Sequence, residues 1–206
     1  MNEQYYEQLL NIKTCGEQKA FNNSLHYHRY EPTSYNSLNS LIKEYPFDKN
    51  DSVIDFGCGK GRLNFYINHY FSSYVTGIEM NSYYYEICSD NLNNYLKHTK
   101  KHTDNKIQFL KCLAQEYEIK DNDNKFYFFN PFSLQIFMSV INNILDSVGD
   151  NPRKVDIILY YPSDDYIFYL ENNTCFSLYK EIPVLPQYNK DYRNKFLIYR
   201  LDYFIQ

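Results

Sequence analysis

The 206-residue chain has no tryptophan, no Cys-x-x-Cys pair and no excess of positive charge. Each absence removes a class of function. The five cysteines, Cys15, Cys58, Cys88, Cys112 and Cys175, are odd in number and widely spaced. That fits reduced thiols in a cytoplasmic protein rather than a disulfide frame or a zinc site. A net charge of −4 speaks against a broad nucleic-acid surface, because phosphate binding rests on clustered lysine and arginine. No apolar run approaches the ~18 residues of a membrane-spanning helix. The start, Met1-Asn2-Glu3-Gln4-Tyr5-Tyr6, lacks the basic and apolar regions of a signal peptide. His26 and His28 have no cysteine or carboxylate at ligand spacing and read as surface residues, so no metal is expected. No Ser-His-Asp pattern or carboxylate pair stands out.

What the chain does have is aromatic mass, 24 tyrosines and 15 phenylalanines, which can build both core and pocket walls. Residues 1–50 read as a mostly helical N-terminal extension. Tyr5, Leu9, Leu10 and Ile12 share one apolar face, and Leu38, Leu41, Ile42 and Tyr45 another. Pro32 biases Glu31 away from helix, and Thr33 or Ser34 can cap the helix that follows. Residues 51–206 then alternate strand and helix. Strands are predicted over 53–56, 74–79, 106–110, 125–129 and 155–160, and helices over 62–71, 83–97 and 134–148. This order implies an α/β fold with a doubly wound, mostly parallel sheet. Runs 176–184 and 195–201 are β-rich and read as an antiparallel pair. The basic string Lys97-His98-Thr99-Lys100-Lys101-His102 reads as a solvated helix end.

One loop carries most of the information. Asp55-Phe56-Gly57-Cys58-Gly59-Lys60-Gly61 joins the first strand to the first helix of the alternating region. Alternate glycines let a ligand come close to backbone, and the helix start behind them favours negative charge. Glu79 ends the next strand, where its carboxylate can accept hydrogen bonds from a ribose diol. The spacing is not that of a dinucleotide loop, because Arg62 stands where the third glycine belongs. It is not a P-loop either, because Lys60 is followed by Gly61. Lys60 and Arg62 themselves read as solvent-facing, or with Arg62 paired to an acid on a neighbouring helix.

The string D-x-G-x-G-x-G with an acid closing the following strand resembles motif I and its partner acid in class I S-adenosylmethionine (SAM) dependent methyltransferases. The resemblance covers residues 50–200 and implies a Rossmann-like, seven-stranded sheet with antiparallel C-terminal strands, and SAM as cofactor. It places Asp55, Gly57, Cys58, Gly59, Gly61 and Glu79 around the cofactor. Met80 would cover the adenine face, Ala114 and Gln115 its edge, and Tyr30 and Thr33 would approach from upstream. A helix cap for Thr33 and a core position for Met80 are the plainer readings. Asn130-Pro131-Phe132-Ser133 ends the fourth strand and resembles the [ND]-P-P-[YF] motif of amino-group methyltransferases, without the second proline. By that resemblance Asn130 is the catalytic contact to an acceptor nitrogen, and Pro131, Phe132 and Tyr35 border the substrate. An ordinary Asn-Pro turn is the alternative. The acidic balance leans toward a small-molecule or protein acceptor over bulk DNA. A SAM-binding regulatory module that transfers nothing is the second functional reading.

Overall fold

The computed structural model describes residues 3–16, 30–99 and 106–202. His26, His28 and the basic residues 100–102 lie outside them. One sheet runs through the molecule in the order β3-β2-β1-β4-β5-β7-β6. The strands are β1 (Ser52–Phe56), β2 (Tyr74–Ile78), β3 (Ile107–Leu110), β4 (Lys125–Phe128), β5 (Val155–Tyr160), β6 (Ser177–Pro183) and β7 (Lys195–Leu201). The first five are parallel, and β7 lies antiparallel between β5 and β6. The expected doubly wound sheet with an antiparallel C-terminal pair is therefore present.

Alternation along the strands sorts the core into two layers. Val53, Val75, Ile107, Tyr127 and Ile158 face one side, against α1 (Glu3–Leu10), α2 (Tyr35–Glu44), α3 (Arg62–Phe71) and α4 (Ser82–Thr99). Ile54, Phe56, Phe126, Phe128 and Ile157 face the other, against α5 (Leu134–Asp150) and α6 (Asp164–Asn173). A strand buried on both faces needs continuous apolar sequence, which explains the aromatic run of β4. The N-terminal extension joins the first layer: Tyr6, Leu10, Tyr35, Leu38 and Leu41 are all buried there. α6 has no counterpart among the predicted elements. Its start is marked by Ser163, whose side chain caps the Tyr166 amide, with Asp164 and Asp165 in the first turn. Its Tyr166 stacks on Phe137 of α5 at 3.7 Å between ring centroids.

The sheet order reverses at β1 and β4, which lie side by side with Phe56 opposite Phe128. Ligands of open α/β sheets sit beyond the C-terminal strand ends at such a switch point. The glycine loop leaves β1 there, and Asn130 follows β4 there.

Candidate functional site

The glycine loop is shaped by its own backbone bonds. The Gly57 and Cys58 amides both donate to the Ile78 carbonyl, at 3.0 and 3.1 Å, and the Gly61 amide donates to Cys58 at 2.9 Å. Gly57 and Gly59 have φ of 76° and 57°, conformations that a side chain disfavours. Space forbids one as well: a Cβ on Gly57 would lie 2.7 Å from Pro131 Cβ, and one on Gly59 would lie 2.1 Å from the Tyr30 ring. Gly61 caps α3. Cys58 turns inward. Its sulfur is beside Gly77 of β2 and hydrogen-bonded to the free thiol of Cys88, which also donates to the Gly59 carbonyl at 3.0 Å. Cys58 thus props the loop from below, and burial pushes its thiol well up.

Two buried carboxyls flank this loop. Glu79 Oε2 accepts from the Gly59 amide at 2.9 Å and Oε1 from the Asn81 amide at 2.7 Å. Burial nevertheless outweighs these bonds and raises its pKa to about 7. Asp55, 4% exposed, is raised to about 8, first by burial and then by the charge of Glu79, with no hydrogen bond among the causes. No cation is among the groups that shift either acid, so burial sets both.

The turn after β4 starts from Asn130, which holds φ at 40°, a left-handed conformation that asparagine tolerates better than most residues. The turn presses Pro131 onto Gly57, so the two motifs touch. Phe129, just before it, packs against Tyr160 and Tyr161 at 4.7 and 6.4 Å between ring centroids.

Most of the other predicted site residues are buried. Phe132 is 2% exposed and packs edge-on against Phe128, while its carbonyl accepts from the Tyr166 hydroxyl. Its ring packs into the α5–α6 layer of the core. Tyr35 is fully buried, stacked on Tyr6 and donating to Glu7, so it too is a core residue. Thr33 is not the helix cap; Ser34 is, accepting from the Ser37 amide at 3.1 Å. The Thr33 hydroxyl instead bonds the Tyr127 hydroxyl at 2.6 Å, and Tyr127 pairs with Asp55 across β1 and β4. Ala114 is buried in a 3-10 turn, Ala114–Glu116, after β3. Gln115 next to it has a buried side-chain oxygen with no hydrogen-bond partner among the described residues. Met80 is half-buried beside Glu79. Lys60 and Arg62 are buried rather than solvent-facing, and Arg62 reaches the acids of α1. Among the described residues, no cluster of His, Cys, Asp or Glu could hold a metal ion, and no helix is long and apolar enough to cross a membrane.

No protein-family model matches the chain. Over 101 residues it is 32% identical to an rRNA adenine N-6-methyltransferase of Escherichia coli, a stretch that makes up 49% of this chain and 40% of that relative. The match thus spans well under half the length of the curated relative. Among solved structures, a putative RNA methyltransferase from Pyrococcus horikoshii superposes with a TM-score of 0.59 at 14% identity, covering 99% of this chain and 100% of the other. An RNA methyltransferase from Salinibacter ruber in complex with S-adenosylhomocysteine superposes with a TM-score of 0.54 at 13% identity, covering 85% and 97%. The fold of this chain is that of the class I SAM-dependent methyltransferases.

Proposed function

We propose that the protein binds SAM at the glycine loop and transfers its methyl group to a nitrogen of a nucleobase in RNA. The observation that carries the cofactor is the pair of buried acids, Asp55 and Glu79, beside the glycine loop at the C-terminal ends of the strands. A pyrophosphate placed there would meet two carboxylates and be repelled. A ligand with a positive charge and a ribose diol relieves both, since ionised Asp55 gains a cation and Glu79 keeps lone pairs for hydroxyl donors. The orphan oxygen of Gln115 suits a donor such as an adenine amino group. The residues present therefore fit SAM.

SAM, when bound, supplies a methyl group already activated as an electrophile. The chain's task is alignment and exclusion of water. Asn130 carries a side-chain amide at the end of β4, against the loop. Its oxygen and a nearby backbone carbonyl would accept hydrogen bonds from an amino group, turning the nitrogen lone pair toward the methyl. The product amine then sheds a proton to solvent, so no strong base is required. Phe129, Tyr160 and Tyr161 offer rings beside this turn for a planar acceptor. The name of the rRNA-modifying relative supports RNA as the carrier of that acceptor. Five free cysteines support a cytoplasmic setting.

A small planar amine is the second reading, favoured by the net charge of −4. The cleft beside Tyr161, lined by Ser163, Asp164, Lys190, Asp191, Tyr192 and Arg193, also balances two acids against two bases instead of presenting a basic track.

Calorimetric titration with SAM and S-adenosylhomocysteine tests the cofactor: wild-type protein binds, and Glu79→Ala loses about tenfold or more in affinity. Labelled SAM is then offered with unmodified RNA, with and without prior ribonuclease digestion. Label in RNA nucleosides that disappears in Asn130→Ala, with SAM affinity kept, supports the reading. Label that enters only small amines moves the acceptor to the second reading.

A further inference from the structure

Arg62 lies immediately after the last glycine of the loop and is 4% exposed, yet no part of the reaction uses it. All its donors point at the N-terminal extension. Nε donates to Thr14 Oγ1 at 2.7 Å, Nη1 to Glu3 Oε2 at 2.6 Å and to the Thr33 carbonyl at 3.2 Å, and Nη2 to Cys15 Sγ at 3.0 Å. Glu7 adds an ion pair at 3.7 Å, and the guanidinium plane lies 4.4 Å over the Tyr35 ring. The two acids are tied in turn: Glu3 accepts from the Tyr35 amide, and Glu7 from the Thr14 and Cys15 amides and the Tyr35 hydroxyl. Lys60 in the loop makes a second stitch, donating to the Cys15 carbonyl at 3.1 Å.

These bonds converge on two residues that meet the cofactor loop. Tyr30 donates to the Thr14 carbonyl at 2.9 Å, lies under the Lys60 ammonium and packs its ring against Gly59 and Tyr84. Thr33 offers its carbonyl to Arg62 and its hydroxyl to Tyr127, the cross-strand partner of Asp55. We propose that Arg62 is a positioning residue for cofactor binding. By gathering Glu3, Glu7, Thr14 and Thr33 around one buried guanidinium, it fixes the extension to the loop and holds Tyr30 as a wall of the cofactor pocket. The extension is then part of the active site and not a separable cap. A planar fork with five donors is what so many divergent acceptors require, and lysine cannot supply it.

This inference rests on the SAM reading, and the test separates the two. SAM affinity is measured for wild type, Arg62→Lys, Glu3→Gln/Glu7→Gln, Tyr30→Ala and the Arg62→Lys/Tyr30→Ala combination, with melting temperature recorded for each. The first two variants are expected to raise the Kd for SAM by about tenfold or more. In the combination the losses fall short of additive, because Arg62 acts through Tyr30. A purely structural role lowers the melting temperature but leaves SAM affinity of the folded protein unchanged, or gives additive losses; either result overturns the inference. Wild-type protein that binds no SAM overturns the functional reading itself. If Arg62→Lys fails to fold, the Glu3→Gln/Glu7→Gln variant, which keeps shape and removes charge from one side only, decides alone.

Discussion

The two ends of the sheet bury aspartates in opposite ways. At the N-terminal end of β5, Asp156 has no exposure at all, but it is fully partnered. Lys125 reaches it at 2.6 Å, Arg200 at 2.7 and 2.9 Å, and the Tyr45 hydroxyl donates to it as well. Burial pushes this carboxyl up, yet the bonds from Arg200 and Lys125 outweigh it and hold it below the ordinary value. At the C-terminal end, Asp55 is nearly as buried and has a second acid for company, so it is raised to about 8. Depth alone therefore does not decide the charge state of a buried acid; its partners do. One end of the sheet uses charge to hold strands together, and the other keeps two carboxyls reluctant to ionise where the proposed cofactor would lie.

The strongest way to break this comparison is at the stabilising end. Asp156→Asn leaves Lys125 and Arg200 facing no anion, and should cost about 3–5 kcal/mol of stability, read by chemical denaturation, without changing SAM affinity in the folded protein. The same exchange at the other end, Asp55→Asn, should do the reverse. It removes a poorly solvated charge, so stability at pH 8 holds or rises, while SAM affinity falls about tenfold. Equal behaviour of the two variants would erase the distinction.

The pH dependence sharpens the contrast with smaller effects. Asp55 and Glu79 have folded pKa values of about 8 and about 7, raised from 3.8 and 4.5. Their contribution to stability is fully present below the unfolded values and is lost as pH rises through the folded ones. Ligand-free protein should therefore lose stability from about pH 4 to 8, and a cationic ligand should bind more tightly across the upper part of that window, with proton release. Asp156, held low, contributes stability that is present above 3.8 and lost as pH falls through its lower folded value. Melting temperatures across pH with and without SAM test both signs: added SAM should lift the alkaline side and leave the acid side unchanged.

Much of the architecture was legible because it is written locally. The glycine spacing, Glu79 two strands into the sheet and the aromatic run of β4 each carry their meaning within a few residues. α6 has no predicted counterpart because its aromatic residues, Tyr166, Phe168 and Tyr169, show no clear helical face, although Ser163-Asp164-Asp165 is a usable start signal. Phe132 was read as substrate-facing because the motif it resembles puts an aromatic there. The Asn130 turn and the seating of Pro131 on Gly57 send its ring to the α5–α6 side instead. For Arg62 the expected pairing with an acid on a neighbouring helix is present, with Glu3 and Glu7 of α1, but the sequence does not say which groups it gathers. Its partners Thr33, Thr14 and Glu3 are 29, 48 and 59 positions away, and no local pattern encodes such a meeting.

The contact between Gly57 and Pro131 has a thermodynamic consequence. If the loop takes the cofactor and the turn faces the acceptor, as proposed, the two sites meet where Pro131 lies against Gly57, and a shift in one would be felt by the other. Affinities for the two ligands are then linked, and linkage is reciprocal: whatever factor the acceptor imposes on cofactor binding, the cofactor imposes on the acceptor.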